Sequence, residues 1–326
     1  MRRRALIAGC GVAALAPARG LAQSARTRRV AILTPGADAL RPVFVAFREA
    51  MRELGHREGG DVAIEIHLAA GDGSRLAALA RELASAEVDI IVSDGGAATE
   101  AAVAATKRLP IVGIVGGDPV ERGLVASLAR PGGNLTGVTL HSFELGPKQV
   151  ELMRDLRPAA KRLMLLAGLP DVVKVTVDAG RRLGLDAVAV AARTPGEIDQ
   201  ALAPAALAGH DGVIVMPDPV TASHRLAVVA RINAAGMPAI YPDRDFAFAG
   251  GLMSYGSDLS DVYRRLARYV DRILRGAKPA ELPIERPERI ELVVNLRTAR
   301  ALGLQLPPAI LARADEWRHR HKIARA

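Results

Sequence analysis

The 326-residue sequence holds one cysteine, Cys10, and it lies in the opening apolar stretch, so the remainder contains neither thiol nor disulfide. Disulfide scaffolding, thiol redox chemistry and cysteine metal sites are thereby excluded from the body of the protein. Aromatic residues are nearly as scarce, at 3 %, while 50 % of the chain is hydrophobic. The core must therefore be Ala, Val, Leu and Ile, which suits parallel strands covered by Ala/Leu-rich helices. Catalytic patterns are missing too. Gly251-Leu-Met-Ser254-Tyr-Gly256 is one residue too long before its serine for a nucleophile elbow. No phosphate-binding lysine loop occurs, and no Gly-x-Gly-x-x-Gly opens a helix beyond the leader. His56, His67, His141, His210 and His224 are scattered without metal-ligand spacing, and His319-Arg320-His321 sits in a basic tail. Neither a metal nor a cofactor is called for, and nothing asks for an enzyme.

The net charge of +9 raises the question of nucleic acid. Four of those charges, Arg2, Arg3, Arg4 and Arg19, lie in the first 22 residues, which hold no acid, so the rest carries +5. A second basic group, Arg313, Arg318, Arg320, Lys322 and Arg325, crowds the C-terminus. No basic patch interleaved with aromatics lies between them, so no nucleic-acid partner is expected. The first 22 residues read as an export signal: a positive start, an apolar run from Ala5 to Ala16, and Gly20-Leu21-Ala22 before the cut. The apolar run is too short to span a bilayer, and a periplasmic location is expected.

From Val30 onward, short apolar runs alternate with helical patterns. Strands are expected at Val30–Leu33, Val62–Leu68, Asp89–Val92, Ile111–Val115 and Leu135–Leu140. A second series follows at Arg162–Leu166, Ala187–Val190, Gly212–Met216, Pro238–Tyr241 and Gly251–Tyr255. Helical patterns between them include Val43–Leu54, Ser74–Ser85, Ala97–Lys107, Glu144–Leu156, Val172–Leu183 and Ala222–Ala235, with a short one before Arg130-Pro131. Such alternation specifies parallel βαβ units, and the series runs twice. The fold class is α/β, with two Rossmann-like lobes joined by a multi-crossing hinge. A long amphipathic helix at 257–274 and a Pro-rich stretch at 278–287 supply later crossings. The expected division is residues 27–140 plus about 257–286 for lobe 1, and 141–256 plus about 287–318 for lobe 2, with a basic tail at 319–326.

Open α/β sheets place ligands at the carboxyl ends of their strands. Lobe 1 offers Thr34-Pro35-Gly36, Ser93-Asp94-Gly95-Gly96-Ala97 and Gly116-Gly117-Asp118-Pro119 there. Lobe 2 offers Pro217-Asp218-Pro219, Pro242-Asp243-Arg244-Asp245 and Ser254-Tyr255-Gly256. Gly95 and Gly96 let backbone N–H groups meet an anion at the start of the helix at Ala97. Asp118, Asp218 and Asp243 offer acceptors to an amine or to hydroxyls. Tyr255 and Tyr241 are positioned either to stack on a ligand or to close the core edge. The competing reading is structural, because Gly, Asp and Pro populate ordinary turns and Asp caps helices, as Asp258 does on this pattern. The candidate ligand-binding set is Thr34, Ser93, Gly95, Gly96, Ala97, Asp118, Asp218, Asp243 and Tyr255. A donor-rich face opposite an acid-rich one suits a zwitterion.

The run from Gly116 to Val138, Gly-Gly-Asp-Pro-Val-Glu-Arg-Gly-Leu-Val-Ala-Ser-Leu-Ala-Arg-Pro-Gly-Gly-Asn-Leu-Thr-Gly-Val, resembles a signature of the ABC-transporter substrate-binding proteins of the periplasmic type I group. Gly250-Gly-Leu-Met-Ser-Tyr-Gly256, Ile273-Leu-Arg-Gly-Ala-Lys-Pro-Ala-Glu-Leu-Pro-Ile284 and Glu291-Leu-Val-Val-Asn-Leu-Arg-Thr-Ala-Arg-Ala-Leu-Gly-Leu304 are similar to later blocks of that family. The resemblance implies three hinge crossings and a small solute, an amino acid or related carboxylate, enclosed between closing lobes. It also implies a monomer that hands its solute to an inner-membrane ABC permease; the alternative is a periplasmic sensor presenting the solute to a membrane receptor. Ala167-Gly168-Leu169-Pro170-Asp171 stands where many relatives carry a longer Asn/Pro-rich loop, and the C-terminal Trp317-Arg-His-Arg-His-Lys322 extension is also atypical.

Overall fold

The computed structural model describes residues 26–116, 118–140, 142–168, 170–286 and 289–318. The leader expected at 1–22 and the tail expected at 319–326 lie outside the described residues.

The chain begins β1 (Arg28–Thr34), α1 (Pro42–Glu53), β2 (Val62–Leu68), α2 (Gly73–Ser85), β3 (Ile90–Ser93), α3 (Gly96–Ala105), β4 (Ile111–Val115) and β5 (Leu135–Thr139). Its five strands make one parallel sheet in the order β2-β1-β3-β4-β5. Next come α4 (Ser142–Leu156), β6 (Arg162–Ala167), α5 (Pro170–Arg182), β7 (Asp186–Ala191), α6 (Pro195–Ala201), α7 (Pro204–Leu207) and β8 (Gly212–Val215). They lead into α8 (Pro219–Ser223), α9 (Arg225–Ala234), β9 (Ala239–Tyr241), α10 (Arg244–Phe248) and β10 (Met253–Ser257). The chain ends with α11 (Leu259–Leu274), a 3₁₀ turn at Pro279–Glu281, β11 (Ile290–Asn295), α12 (Leu296–Ala301), α13 (Pro308–Arg313) and β12 (Glu316–Arg318). The second sheet has the order β12-β11-β10-β9-β8-β6-β7, parallel except where β11 runs against β10.

Both sheets are covered on both faces, so nearly every strand position is apolar. Along β1, Val30 and Ile32 join the core beneath α1 and α11, while Ala31 and Leu33 join the core beneath α2 and α3. In the second sheet Leu163 and Leu165 face α4, and the residues next to them, Met164 and Leu166, face α9. Helix α11 lays Val262, Leu266 and Val270 against the first sheet although it follows β10 of the second, and Asp258 caps it by accepting from Asp261 N–H. The chain thus crosses between the sheets after β5, after β10 and before β11. At the third crossing Glu285 runs beside β5, its N–H donating to Gly137 and its carbonyl accepting from Thr139.

Two local expectations differ from the structure, and one strand was not expected. The pattern at 119–130 forms turns instead of a helix: Leu124 and Val125 both donate to the Pro119 carbonyl, and Gly123 adopts φ +66°. The stretch 222–235 is broken at His224, whose backbone leaves helical values and whose Nδ1 lies 2.9 Å from the Val220 carbonyl. Strand β12, three residues beside β11, was too short to show any alternation.

Candidate functional site

In both sheets the parallel strands end at the same cleft, and loops from the two sides meet there. The Ala37 N–H donates to Ser223 Oγ at 3.2 Å, and Arg225 Nη1 lies 3.5 Å from Asp38 Oδ2. Gly95 has φ +90°, and a Cβ there would lie 3.1 Å from Pro219 Cγ of the facing lobe. Only glycine fits both demands.

On the first lobe the centre of the site is Asp94, which follows β3. Its Oδ2 accepts from Arg41 Nη1 at 2.5 Å and from Thr34 Oγ1 at 2.7 Å, and its Oδ1 accepts from Tyr263 Oη at 2.6 Å. Arg41 precedes α1, Thr34 ends β1 and Tyr263 lies in the first turns of α11, so three separate elements converge on one carboxylate. Burial works against the Arg41 charge, but Asp94 outweighs it and holds the guanidinium above its ordinary value. Burial, reinforced by Asp94, likewise keeps the Tyr263 phenol protonated well beyond its usual range. Phe44 packs edge-on to Tyr263 at 5.6 Å and lies beneath the guanidinium at 5.2 Å. Arg41 is 5 % exposed, yet Asp94 is the sole hydrogen-bond partner of its guanidinium among the described residues. Beside this network, α3 starts at Gly96 without a side-chain cap, leaving the N–H groups of Gly96, Ala97 and Ala98 unpaired among the described residues. These three orphans and the helix dipole favour a negative group.

The second lobe presents carboxylates. Asp218 Oδ1 caps α8 by accepting from Val220 and Thr221 N–H at 2.7 and 3.2 Å. A Cβ on Gly168 would fall 2.4 Å from Asp218 Oδ2, so the bare glycine makes room for the carboxylate. Burial pushes the Asp218 carboxyl up to about 6, with the Asp94 charge adding to the rise and Arg41 opposing it. Asp243 Oδ1 accepts from Asp245 N–H at 3.0 Å to cap α10. Burial and the neighbouring Asp245 drive Asp243 well above the carboxylate range, against the pull of Arg41 and Arg225. Asp245 is also raised, chiefly by burial.

Of the residues singled out from sequence, Thr34, Gly95, Gly96, Ala97, Asp218 and Asp243 lie where the two sets of loops face each other. Three are placed otherwise. Ser93 turns its hydroxyl away from Asp94 and pairs it with Thr99 Oγ1 at 2.8 Å beneath α3. Asp118 is exposed and closes its own turn through the Val120 and Glu121 N–H groups. Tyr255 is half-buried against the core beneath α4, and its carbonyl accepts from Gln149 Nε2 at 2.9 Å. Tyr241 is wholly buried, stacked on Phe246 at 5.2 Å, and so closes the core. The sequence reading missed Arg41, Tyr263 and Arg225, and passed over Asp94 and Asp245 within loops it had quoted. Among the described residues no group of His, Cys, Asp or Glu is arranged to hold a metal ion, and no helix is long and apolar enough to cross a membrane.

Two parallel α/β lobes, linked by three crossings and facing each other across a polar cleft, define a periplasmic-binding-protein fold of the type that closes on small solutes. The sequence profile of the ABC transporter substrate-binding proteins matches residues 30–318, and the chain belongs to that family. Its members bind solutes and are not enzymes. The chain is 26 % identical over 265 residues to a tyrosine-binding protein of Clostridioides difficile (strain R20291), covering 79 % of this chain and 76 % of that protein. It is similar to an ABC domain in complex with L-Trp from Streptococcus pneumonia, with TM-score 0.79, 25 % identity and coverage of 90 % and 100 %. Against the ligand-free, open structure of a Clostridium difficile substrate-binding protein the TM-score is 0.57 at 24 % identity, with the same coverage.

Proposed function

We propose that this chain captures a small zwitterion, an amino acid or a closely related amino carboxylate, for an ABC importer in the inner membrane. One observation carries the reading: spare donors on the first lobe face unmatched acceptors on the second. A ligand carboxylate meets the N–H groups of Gly96 and Ala97 together with the unused donors of Arg41. The ligand amine meets Asp218 and Asp243, whose carboxyls burial raises against the pull of the nearby arginines. Contacts to both lobes exist only in the closed arrangement, so the ligand's differential affinity draws the hinge shut. The permease then takes the solute from the closed, monomeric protein. Export to the periplasm through the leader at residues 1–22 completes this proposal.

The names of the relatives bring L-tyrosine and L-tryptophan forward as first candidates for this cleft. The test is native mass spectrometry of protein purified without refolding, followed by calorimetric titration with both amino acids and with tyramine and tryptamine, which lack the carboxylate. Saturable binding of an amino acid, lost in the matching amine and weakened by Asp218→Asn, supports the reading. No co-purified amino carboxylate and no heat from an amino-acid panel would sink it.

A further inference from the structure

At the far edge of the first sheet, opposite the cleft, a groove of about 360 Å³ opens between two segments distant in sequence. One wall is the connection from α3 to β4, carrying Lys107 and Arg108; the other is Lys278 at the start of the 3₁₀ turn. The floor is the turn at 132–134, tied to the second wall by Gly132 N–H donating to the Ala280 carbonyl at 3.2 Å. Asn134 Nδ2 ties it to the first, donating to the Thr106 and Leu109 carbonyls at 3.1 and 2.8 Å.

Three cations thus face one groove, and none has an acidic partner among the described residues. The N–H groups of Gly133 and Asn134 on its floor also lack an acceptor there. No carboxylate lines the groove; the nearest in sequence, Glu281, lies one residue beyond Ala280, and its N–H donates to Lys278. Lys107 and Arg108 alone would suit the carbonyl end of α3. Lys278 arrives on a separate segment, just past the end of α11, and brings a third like charge to the same space. Mutual repulsion of the three cations is relieved by an anion that also accepts from the two N–H groups.

We infer that this groove is a second binding site, specific for a phosphate group, separate from the solute cleft and filled without any change in the hinge. Inorganic phosphate and the headgroup of an anionic phospholipid share that chemistry. The experiment uses the exported full chain and its Lys107→Ala/Arg108→Ala/Lys278→Ala variant. Each is titrated with inorganic phosphate at constant ionic strength, following backbone amide shifts, and each is co-floated with phosphatidylglycerol or phosphatidylcholine vesicles. Saturable shifts at Gly133 and Asn134, or flotation with phosphatidylglycerol alone, support the site and identify its source, provided the triple variant binds about a hundredfold more weakly. Equal response to chloride, equal flotation with both vesicles, no binding in either arm, or unchanged binding by the folded variant each overturns it. Surface charges at exposed positions leave folding intact, and circular dichroism of the variant verifies that.

Discussion

The first lobe shows the cleft a carboxylate met by three donors from three elements, whereas the second shows carboxylates that meet mainly backbone N–H groups. Asp94 is neutralised by Arg41 and held by Thr34 and Tyr263. Asp243 is buried and Asp218 half-buried, yet each is stabilised chiefly by the start of a short helix. The capping N–H groups favour the charged forms of Asp218 and Asp243, but burial outweighs them and leaves both carboxyls raised.

Removing Asp94 should produce the largest effect of any single change in the cleft. Asp94→Ala leaves the Arg41 guanidinium buried without a counter-charge, and such a break costs about 3–5 kcal/mol. Urea unfolding reads it directly. Asp218→Asn, which keeps an oxygen for the cap and discards a desolvated charge, should change stability of the ligand-free protein by less than about 1 kcal/mol. Equal losses from the two variants would erase the distinction between the lobes.

Gly95 ranks next. A side chain at φ +90°, close to Pro219, is strained in the ground state and obstructs the approach of the lobes. Gly95→Ala should cost about 1–3 kcal/mol of stability. It should also weaken solute binding more than Gly73→Ala, a site where an added Cβ meets nothing within 4 Å. Thermal melts and titrations of the pair separate strain from closure.

The acid-rich face gives a pH dependence whose sign follows from the direction of the shifts. Asp218 rises from 3.8 to about 6 in the folded protein because burial penalises its charge, and Asp243 rises as well. A carboxyl raised by folding adds stability that is complete below its unfolded value and is lost as pH climbs through the folded one. For Asp218 that loss spans pH 3.8 to about 6, and Asp243 extends it upward. Binding of a cationic amine runs the other way, because the amine needs both groups ionised. Affinity should tighten at least about tenfold between pH 5 and pH 8, with protons released on binding, seen as heats that vary with buffer. Affinity that falls over this range would place the amine elsewhere.

Much of this comparison was legible in the sequence, and its limits have a physical cause. Doubled alternation of apolar runs and helical patterns specifies two parallel sheets because each strand must be covered on both faces. Loops at strand ends follow from the same geometry. Side-chain direction within a loop does not. Ser93 and Asp94 are neighbours on one strand end, yet one turns under α3 and the other into the cleft. Nor can local pattern announce a partner 53 residues away, as Arg41 is from Asp94, or 169 away, as Tyr263 is. Such pairings exist only once β1, β3 and α11 have been assembled. The broken helix at His224 escaped for the opposite reason, since its apolar spacing continues across the break.

The smallest expected effect lies at the rim, where the lobes touch through exposed groups. Asp38 Oδ1 accepts from Leu40 N–H at 2.8 Å while Oδ2 faces Arg225 at 3.5 Å, so one carboxylate orders its own loop and reaches across the cleft. A partly exposed pair of this kind contributes at most about 1 kcal/mol and weakens with salt. Arg225→Ala should therefore shift the ligand-free balance of open and closed forms by no more than about fivefold. Fluorescence transfer between labels on α2 and α9 measures that balance, and the variant should lose the salt dependence of the natural chain. Ser223→Ala removes the uncharged rim contact to Ala37 N–H, so its shift should persist at high salt. If Arg225→Ala moved the balance far more than this, closure would rest on the rim and not on the facing donors and acceptors deeper in the cleft.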